Sequence, residues 1–504
     1  MSNKKHELVI ILVLIIAVAM TILPNYLASY DEIWVFNFGK NFSDGRLPYK
    51  DFNIIQGPLL PMIFSVFFKM FGTELIVMRF LGILLSALLM FMIYKILKRL
   101  GIQKYAIYVT MVIMYLLFFD LFCIDYNLLT ILIILIAIYY EIKRISKGHE
   151  ILEYSFKFDF CLGIFLGASI LLKQTSGLFI SVIFILYKLL LASNKEDFKT
   201  VFKIILTRFF GVLIPAFLLY IYLIINNIWM DYLEYTVYSI KTFSNYIPYT
   251  RLFRNKNILI VILSIMVPIS FIYMYIKSVV KKITEEQDKF LFVLFAYSVA
   301  TFVFVYPISD SAHFLIGSVP ALISISYIIW NLYQDIKKKY NLDKSIRIIR
   351  ESIGFATYVF IACILITSVM TNADYIINIK NTSHINHYKY IRIDDEERIK
   401  VIGNYILESE ANGKKVYMLD AAAALYMIPI DRYNKNYDMF LKGNIGTKSE
   451  LEYIEELEKE ENIIVIIVRE EWRRNWQLPT EVVNHIIDNW EKTEELLHFD
   501  VYEK

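Results

Sequence analysis

The sequence predicts an α-helical polytopic membrane protein that ends in a small extracytoplasmic α/β domain. Of its 504 residues, 57% are hydrophobic and 16% are aromatic, whereas a soluble protein has about 45–50% apolar residues. Apolar runs of about 18 residues, the length that spans a bilayer, recur along most of the chain. Lys and Arg gather at alternate ends of these runs, as expected when alternate ends face the cytoplasm.

The first apolar run, Leu8–Leu23, follows Lys4 and Lys5. No clear cleavage site of the small-residue type follows it, so we interpret it as a retained span rather than a signal peptide. The positive charges place the N-terminus in the cytoplasm. Following the charges along the chain gives about eleven spans. These are Leu8–Leu23, Leu75–Leu97, Tyr105–Phe122, Leu128–Tyr140, Phe160–Leu172, Gly177–Leu191, Phe209–Ile225, Ile258–Ile276, Phe290–Tyr306, Phe314–Tyr333 and Ser352–Met370.

One further apolar run, Pro58–Gly72, is too short to cross a bilayer and contains Pro61 and Lys69. We therefore predict a surface-lying or re-entrant helix there. If this run does not cross, the basic cluster around Lys95 and Arg99 lies in the cytoplasm, which agrees with the charge bias of membrane proteins.

After Met370 the composition changes to a charged sequence of ordinary periodicity. Two short apolar strands alternate with helical patterns, which favours an α/β domain with a partly parallel sheet. The strands are Lys415–Leu419 and Asn462–Val468, and the helices are Glu396–Ser409, Lys448–Glu460 and Thr480–Trp490. The predicted domains are residues 1–370, a transmembrane module with a first outer loop at 28–74, and residues 371–504, a soluble extracytoplasmic domain.

Charge and cysteine content exclude other classes. A formal net charge of +3 gives no reason to expect a nucleic-acid partner. The three cysteines, Cys123, Cys161 and Cys363, all fall within apolar runs. They are typical of small core residues rather than of metal ligands or a disulfide framework.

The first outer loop carries the candidate chemistry. Asp31 and Glu32 follow the first span almost at once, and Asp51 lies further along the loop. Holding carboxylates at a membrane surface costs roughly several kcal/mol when they are partly buried, so a functional reason is expected.

Other polar residues collect at the predicted outer ends of the spans. Acids there can act as general bases, and Lys or Arg can stabilise a phosphate leaving group. Loop-end charges more often simply lie among lipid headgroups, but Lys173 opposes the positive-inside bias. No cluster of these residues has the ligand spacing that would identify a metal, so the sequence leaves open whether a divalent cation is used. The candidates are Asp125, Lys173, Gln174, Arg251, Arg254, Asp310 and His313.

Several motifs of the first hundred residues resemble the C-type membrane glycosyltransferases. These are Asp31-Glu32, LPYKDF at Leu47–Phe52, QGPL at Gln56–Leu59, the Phe71-Gly72 pair, and Arg79 at the start of the next span. The resemblance is to the branch of the protein O-mannosyltransferases and the lipid A aminoarabinose transferases. This sequence has Leu59 where a second proline often stands in that branch, which leaves the subfamily open.

The resemblance implies a sugar donor on a polyprenyl phosphate and an extracytoplasmic glycan, lipid or protein acceptor. It adds Tyr49, Gln56 and Arg79 to the expected substrate-binding residues. We expect Asp31 to act as the catalytic base of an inverting transfer, with Glu32 in support. Lys173 would hold the phosphate, and Arg79, Arg251 and Arg254 are candidates to help it.

Two other functions fit a chain of this composition. A transporter or scramblase of lipid-linked saccharides would carry charges in the middle of its spans and paired broken helices. A polymerase of lipid-linked repeat units would have a large outer loop rather than a terminal domain. The sequence shows few mid-span charges, which favours the transferase.

Overall fold

A computed structural model describes residues 3–27, 30–239, 246–281, 283, 285–340, 343–434, 437–473 and 478–504. Their α-helices are α1 (Asn3–Ile22), α2 (Tyr30–Ser43), α3 (Leu59–Phe71), α4 (Leu75–Arg99), α5 (Lys104–Phe118), α6 (Tyr126–Ile145), α7 (Phe156–Gly167), α8 (Gln174–Leu186), α9 (Lys195–Ile225), α10 (Trp229–Leu233), α11 (Ile258–Tyr275), α12 (Glu286–Thr301), α13 (Ser311–Gly317), α14 (Val319–Tyr340), α15 (Asp343–Ile377), α16 (Glu396–Ala411), α17 (Ala424–Met427), α18 (Glu450–Lys459) and α19 (Thr480–Asn489). The strands are β1 (Lys415–Leu419), β2 (Ile463–Val468), β3 (Glu491–Leu496) and β4 (Phe499–Glu503).

The chain divides into two compact units. The helical unit comprises Met1–Leu23, Phe80–Leu219 and Tyr246–Ile376. The sheet unit comprises Pro24–Arg79, Tyr220–Asn245 and Ile377–Lys504. Compared with the domains expected from sequence, the first loop groups with the C-terminal residues rather than with the spans.

The helical unit has the features of a multi-pass membrane protein. Within the described ranges, eight helices are long and apolar enough to cross a bilayer. A ninth span is counted if α13 and α14, which meet at a 61° bend, are taken together. The number is smaller than the eleven expected because two short runs form helices that do not meet these criteria. These are α7, with 12 residues, and α6, with 20 residues.

The cysteines differ from their expected placement. None of the three forms a disulfide, and all three are exposed on the surface rather than buried in a core. An exposed position on an apolar helix faces the surroundings of the unit, where a small thiol packs as an ordinary apolar group.

Two helices of the helical unit approach each other closely through glycines. A methyl group on Gly163 of α7 would lie 2.7 Å from the carbonyl oxygen of Arg208 in α9, and one on Gly211 would lie 2.5 Å from that of Phe160. Gly163 and Gly167 are four residues apart and so share one face of α7. Small residues at this spacing allow helix backbones to pack in a membrane, where van der Waals contact drives association.

The sheet unit contains a four-stranded sheet in the order β1-β2-β4-β3. Strands β1 and β2 are parallel, and β4 runs antiparallel to both of its neighbours. Every residue of β2 is buried, as expected of an unbroken Ile/Val run in a sheet covered on both faces. The partly parallel sheet agrees with the prediction. The hairpin of β3 and β4 was not predicted, because the sequence of β3, EKTEEL, is charged and mostly exposed.

The helices α2 and α3 pack together within the same unit. Gly39 of α2 lies against the Phe64 side chain, and Phe36 meets Phe68 edge-on at 5.4 Å between ring centroids. Helix α3 has 13 residues, which is short of a span and agrees with the non-crossing helix predicted there.

The glycine contact gives a direct test of the helix packing. Gly163→Ala should lower the melting temperature of the detergent-solubilised protein by several degrees, because the new methyl group meets backbone that cannot move aside. Gly354→Ala in α15 is the control, since nothing lies within 4 Å of the added carbon. Alanine favours a helix over glycine there, so the control should melt at or slightly above the wild-type temperature. Equal melting temperatures for the two variants would contradict the close packing of α7 on α9.

Candidate active site

The first turn of α2 is fixed by a buried ion pair. Arg79 donates from Nε and Nη2 to the two carboxylate oxygens of Glu32, at 2.7 and 2.9 Å, and from Nη1 to the carbonyl oxygen of Asn25 at 2.7 Å. The Arg79 side chain is only 2% exposed. Such bidentate pairs are strong and geometrically specific. Glu32 therefore anchors the turn, while its neighbour Asp31 is exposed.

The remainder of α2 is anchored through two further side chains, Trp34 and Lys40. Trp34 Nε1 donates to the carbonyl oxygen of Ala421 at 2.6 Å. Buried Lys40 pairs with Asp44 at 2.8 Å and with Asp431 at 3.1 Å. Burial opposes ionisation of Asp431, but hydrogen bonds from His387 and Lys40 outweigh it and lower the pKa of Asp431. Asp31 thus begins a helix that is held along its whole length.

Three predicted residues shape the loop after α2. Asp51 accepts a hydrogen bond from the amide of Leu47 at 2.7 Å, which closes a turn. Tyr49 has a left-handed backbone (φ 69°) and is buried, and its hydroxyl donates to the carbonyl oxygen of Gln56 at 2.8 Å. Within the described part of the chain, the side-chain oxygen of Gln56 is buried and accepts no hydrogen bond. Asp51 and Tyr49 therefore build the loop, and Gln56 keeps a free acceptor.

In the helical unit, Lys173 and its neighbours come together with the start of α6. Asp125 caps α6 by accepting from the amide of Asn127 at 3.0 Å. Lys173 Nζ donates to Asn127 Oδ1 at 3.2 Å and lies 5.8 Å from the ring centroid of Phe304. Gln174 follows as the first residue of α8. The structure therefore places Lys173 and Gln174 beside the start of α6, which Asp125 caps, although Asp125 is far from them in sequence.

The SDSAH motif lies in the same part of the helical unit. Asp310 caps α13 by accepting from the backbone amide of His313 at 2.8 Å, and its carboxylate is 2.9 Å from His313 Nδ1. Helix α13 packs against α6 and against the short 3₁₀ helix that contains Phe304. Arg251 and Arg254 are exposed on the 3₁₀ helix Tyr249–Arg254.

Sequence reasoning missed a buried ionic cluster in the helical unit. Arg208 donates to Asp159 at 2.8 Å, to Glu141 at 3.2 Å and to the carbonyl oxygen of Phe184 at 2.8 Å. Arg208 appeared to flank a span that begins at Phe209, but α9 starts at Lys195 and places it inside the helix. All three guanidinium nitrogens are occupied by protein oxygens, as expected of a structural network rather than a transport pathway.

Asp438 is a second residue that sequence reasoning missed. It is fully buried in the sheet unit, where one oxygen accepts from the amide of Asn434 at 3.2 Å. The other oxygen has no hydrogen-bond partner among the described residues. Burial raises the pKa of Asp438 to about 7, although hydrogen bonds and the charge of Arg46 oppose it. Its stretch of the sequence carries no regular pattern that marks it as buried.

The need for a divalent cation, which the sequence leaves open, gains no support from the described residues. In the described ranges, no group of three or more His, Cys, Asp or Glu side chains is placed to hold a metal ion. Asp125 forms a helix cap, Asp51 closes a turn, and Glu32 belongs to an ion pair.

Known proteins resemble the chain in both sequence and fold. Residues 56–220 match the family of dolichyl-phosphate-mannose-protein mannosyltransferases. ArnT from Cupriavidus metallidurans, in a crystal structure bound to undecaprenyl phosphate, is 11% identical with a TM-score of 0.57, over 99% of this chain and 98% of that one. Its apo structure is 10% identical with a TM-score of 0.55, over 100% and 98%. No curated protein sequence matches the chain.

These matches confirm the resemblance to the C-type membrane glycosyltransferases. The chain has the fold of ArnT, which is a lipid A aminoarabinose transferase. Over about a third of its length it also has the sequence pattern of the protein mannosyltransferase family. The fold and the apolar helices together show a multi-pass membrane protein.

The buried Asp438 predicts a measurable pH dependence of stability. Because its pKa is raised in the folded protein, the folded state binds a proton that the unfolded state lacks between about pH 4 and pH 7. Stability should therefore fall as the pH rises through this range. Asp438→Asn should melt about 2–4 °C above the wild type at pH 8 and near it at pH 4.

The exposed Asp488→Asn serves as the control, measured by intrinsic fluorescence on the full chain in detergent. A variant that is less stable than wild type at pH 8 would show that the Asp438 anion stabilises the folded protein, which contradicts a raised pKa.

Proposed function

We propose that this protein transfers a sugar from a polyprenyl-phosphate donor to an extracytoplasmic acceptor, with inversion at the anomeric carbon. The observation that carries the proposal is the fold shared with ArnT over nearly the whole length of both chains, in a structure where ArnT binds undecaprenyl phosphate. The family match at residues 56–220 supports a sugar donor on a lipid phosphate. The acceptor would be a glycan, lipid or protein of the cell envelope.

Asp31 would act as the base. The acceptor hydroxyl oxygen forms a bond to the anomeric carbon and gives its proton to the Asp31 carboxylate. The bond from that carbon to the phosphate oxygen breaks, and the electron pair leaves with the lipid phosphate. Asp31 suits this role because it is exposed at the start of a helix that is anchored along its length. A base of this kind contributes about 10²–10⁴-fold to the rate.

Lys173 would hold the phosphate group of the leaving lipid. Its ammonium lies beside the start of α6, 3.2 Å from Asn127 Oδ1, at the predicted outer end of a span. A cation there can form a charge-assisted hydrogen bond to a phosphate oxygen. Arg251 and Arg254 are exposed and are candidates to assist.

We assign Glu32 and Arg79 a positioning role. The Arg79 guanidinium donates to Glu32 and to a backbone carbonyl oxygen, so these contacts hold the protein rather than a substrate. The pair orients the turn that carries Asp31. The orientation inferred from Lys and Arg places the N-terminus in the cytoplasm and residues 371–504 on the opposite side of the membrane.

Asp31 and Glu32 can be separated by two measurements on purified variants. Asp31→Asn should lose about 10²-fold or more of sugar transfer from a synthetic polyprenyl-phosphate sugar while keeping its melting temperature. Glu32→Gln should retain more activity but melt about 3–6 °C lower, because it leaves the buried Arg79 charge unpaired.

Asp120→Asn is the matched control, an exposed carboxylate at a helix end. Full activity of Asp31→Asn would remove this residue from catalysis. Loss of activity only in Glu32→Gln, without loss of stability, would identify Glu32 rather than Asp31 as the base.

Removal of the Lys173 charge should affect the donor. We expect Lys173→Met to raise the apparent KM for the polyprenyl-phosphate sugar at least tenfold, since a charge-assisted contact to phosphate is lost. Lys256→Met is the control for an exposed lysine of the same unit. Donor affinities that agree between the two variants and wild type would leave Lys173 as an ordinary headgroup-zone cation.

A further inference from the structure

The sheet unit contains a cavity of about 300 Å³ that none of the assigned roles uses. It opens between the start of α2, the start of α16 and the segments that follow β1 and β2. This volume is at the lower end of the range typical of small-molecule sites. All of its lining residues belong to the sheet unit.

The position of the cavity in the sheet is that of a binding crevice. Asp420 follows the last residue of β1, and Val468 is the last residue of β2. Both line the cavity, which therefore lies at the carboxyl ends of the two parallel strands. Ligands of open α/β sheets bind at this edge, where the chain leaves the strands in loops that diverge.

The lining offers many hydrogen-bond acceptors and few cations. Asp394, Asp395 and Asp420 contribute carboxylates, and Arg398 contributes a guanidinium. Arg398 Nε is buried without a hydrogen-bond partner in the described ranges, and it lies 3.6 Å from Asp395 Oδ2. A ligand with hydroxyl groups both accepts from Arg398 and donates to the acids.

Aromatic rings form part of the wall, beside aliphatic side chains. Trp472 is 57% exposed, and its ring lies 4.1 Å from the ring of His498, centroid to centroid. Tyr30 and Tyr426 also line the cavity. The negative faces of aromatic rings attract the positively polarised C–H groups of a sugar ring, while the edges of the sugar carry hydroxyl groups for the carboxylates.

We propose that this cavity binds a sugar ring of the acceptor. Carboxylates and an exposed tryptophan in one concave site fit a polyhydroxyl ring better than they fit an anion. With three acids and one arginine, the lining repels phosphate, so the donor phosphate is excluded. The assignment to the acceptor rests on the proposed function, whereas sugar binding itself can be measured without transfer.

The cavity adjoins the residue proposed as the base. Tyr30 lines it and immediately precedes Asp31 in the first turn of α2. Tyr30 stacks on Trp34 at 5.9 Å, and Trp34 is hydrogen-bonded to Ala421, next to Asp420. The wall of the cavity and the start of α2 are therefore held together, and a sugar bound there would lie beside the turn that carries Asp31.

The test is saturation-transfer NMR on the purified full chain in a sugar-free detergent. The probes are mannose, arabinose, glucosamine and N-acetylglucosamine, with inorganic phosphate as a competitor. At least one sugar should bind, and Trp472→Ala and Asp394→Asn should each weaken its affinity about tenfold or more. Leu451→Ala and Asp488→Asn, at exposed positions that do not line the cavity, should leave the affinity unchanged.

Each result bears on the proposal separately from the transferase activity. Sugar binding that is unchanged in both cavity variants, or that phosphate displaces, would overturn the assignment of the cavity. Trp472-dependent binding in a protein that transfers no sugar would support the cavity and contradict the proposed function. Active transfer with no sugar binding at the cavity would support the proposed function and contradict the assignment of the cavity. Asp394→Asn keeps the test decisive if Trp472→Ala does not fold.

Discussion

Arg79 binds both carboxylate oxygens of Glu32 and the carbonyl oxygen of Asn25 in a nearly solvent-free position. Once buried, this charge must stay paired, because an unpaired buried ion costs several kcal/mol. The pair therefore fixes where α2 begins. Asp31, the proposed base, is the residue before Glu32, and Tyr30, which lines the cavity, precedes Asp31. The chemistry attributed to this part of the protein depends on that constraint.

The helical unit obeys a related rule for buried charge. Arg208 satisfies each of its guanidinium nitrogens with a protein oxygen, and α7 approaches α9 through glycines beside it. The close approach and the ionic contacts support each other, since side chains from two tightly packed helices reach one another without water. The arrangement explains how an apolar unit accommodates charges well inside its helices. Because these charges inside the helices are paired with protein groups, they do not support a transport pathway.

The sequence allowed the fold class, the short apolar helix α3 and the two parallel strands to be predicted, because each produces a strong local pattern. Span length is such a pattern for α1 and α4, and the run NIIVIIV is another for β2. The hairpin of β3 and β4 was missed because cross-strand pairing, not apolar alternation, forms it. The predicted spans at α6 and α7 are helices of 20 and 12 residues, and neither is among the eight counted by length and hydropathy within the described ranges.

The site was harder to predict than the fold. The sequence identified Asp31, Glu32 and Lys173 as unusual charges but could not say which were already paired. Glu32 is held by a residue 47 positions away, and Lys173 contacts a residue 46 positions away. Asp438 and the cavity at the carboxyl ends of β1 and β2 depend entirely on long-range packing. Burial and partner identity are properties of the folded chain, and they decide which candidate charges are free for chemistry.

The claim that the donor is a sugar carried by a polyprenyl phosphate can be tested by offering the purified protein two labelled donors. One is a polyprenyl-phosphate sugar, and the other is the same sugar on a nucleotide diphosphate. Both are supplied with a membrane extract as the source of acceptor. The account predicts that label leaves only the polyprenyl donor, with release of one polyprenyl phosphate for each sugar transferred. Transfer from the nucleotide sugar, with the polyprenyl donor untouched, would contradict it.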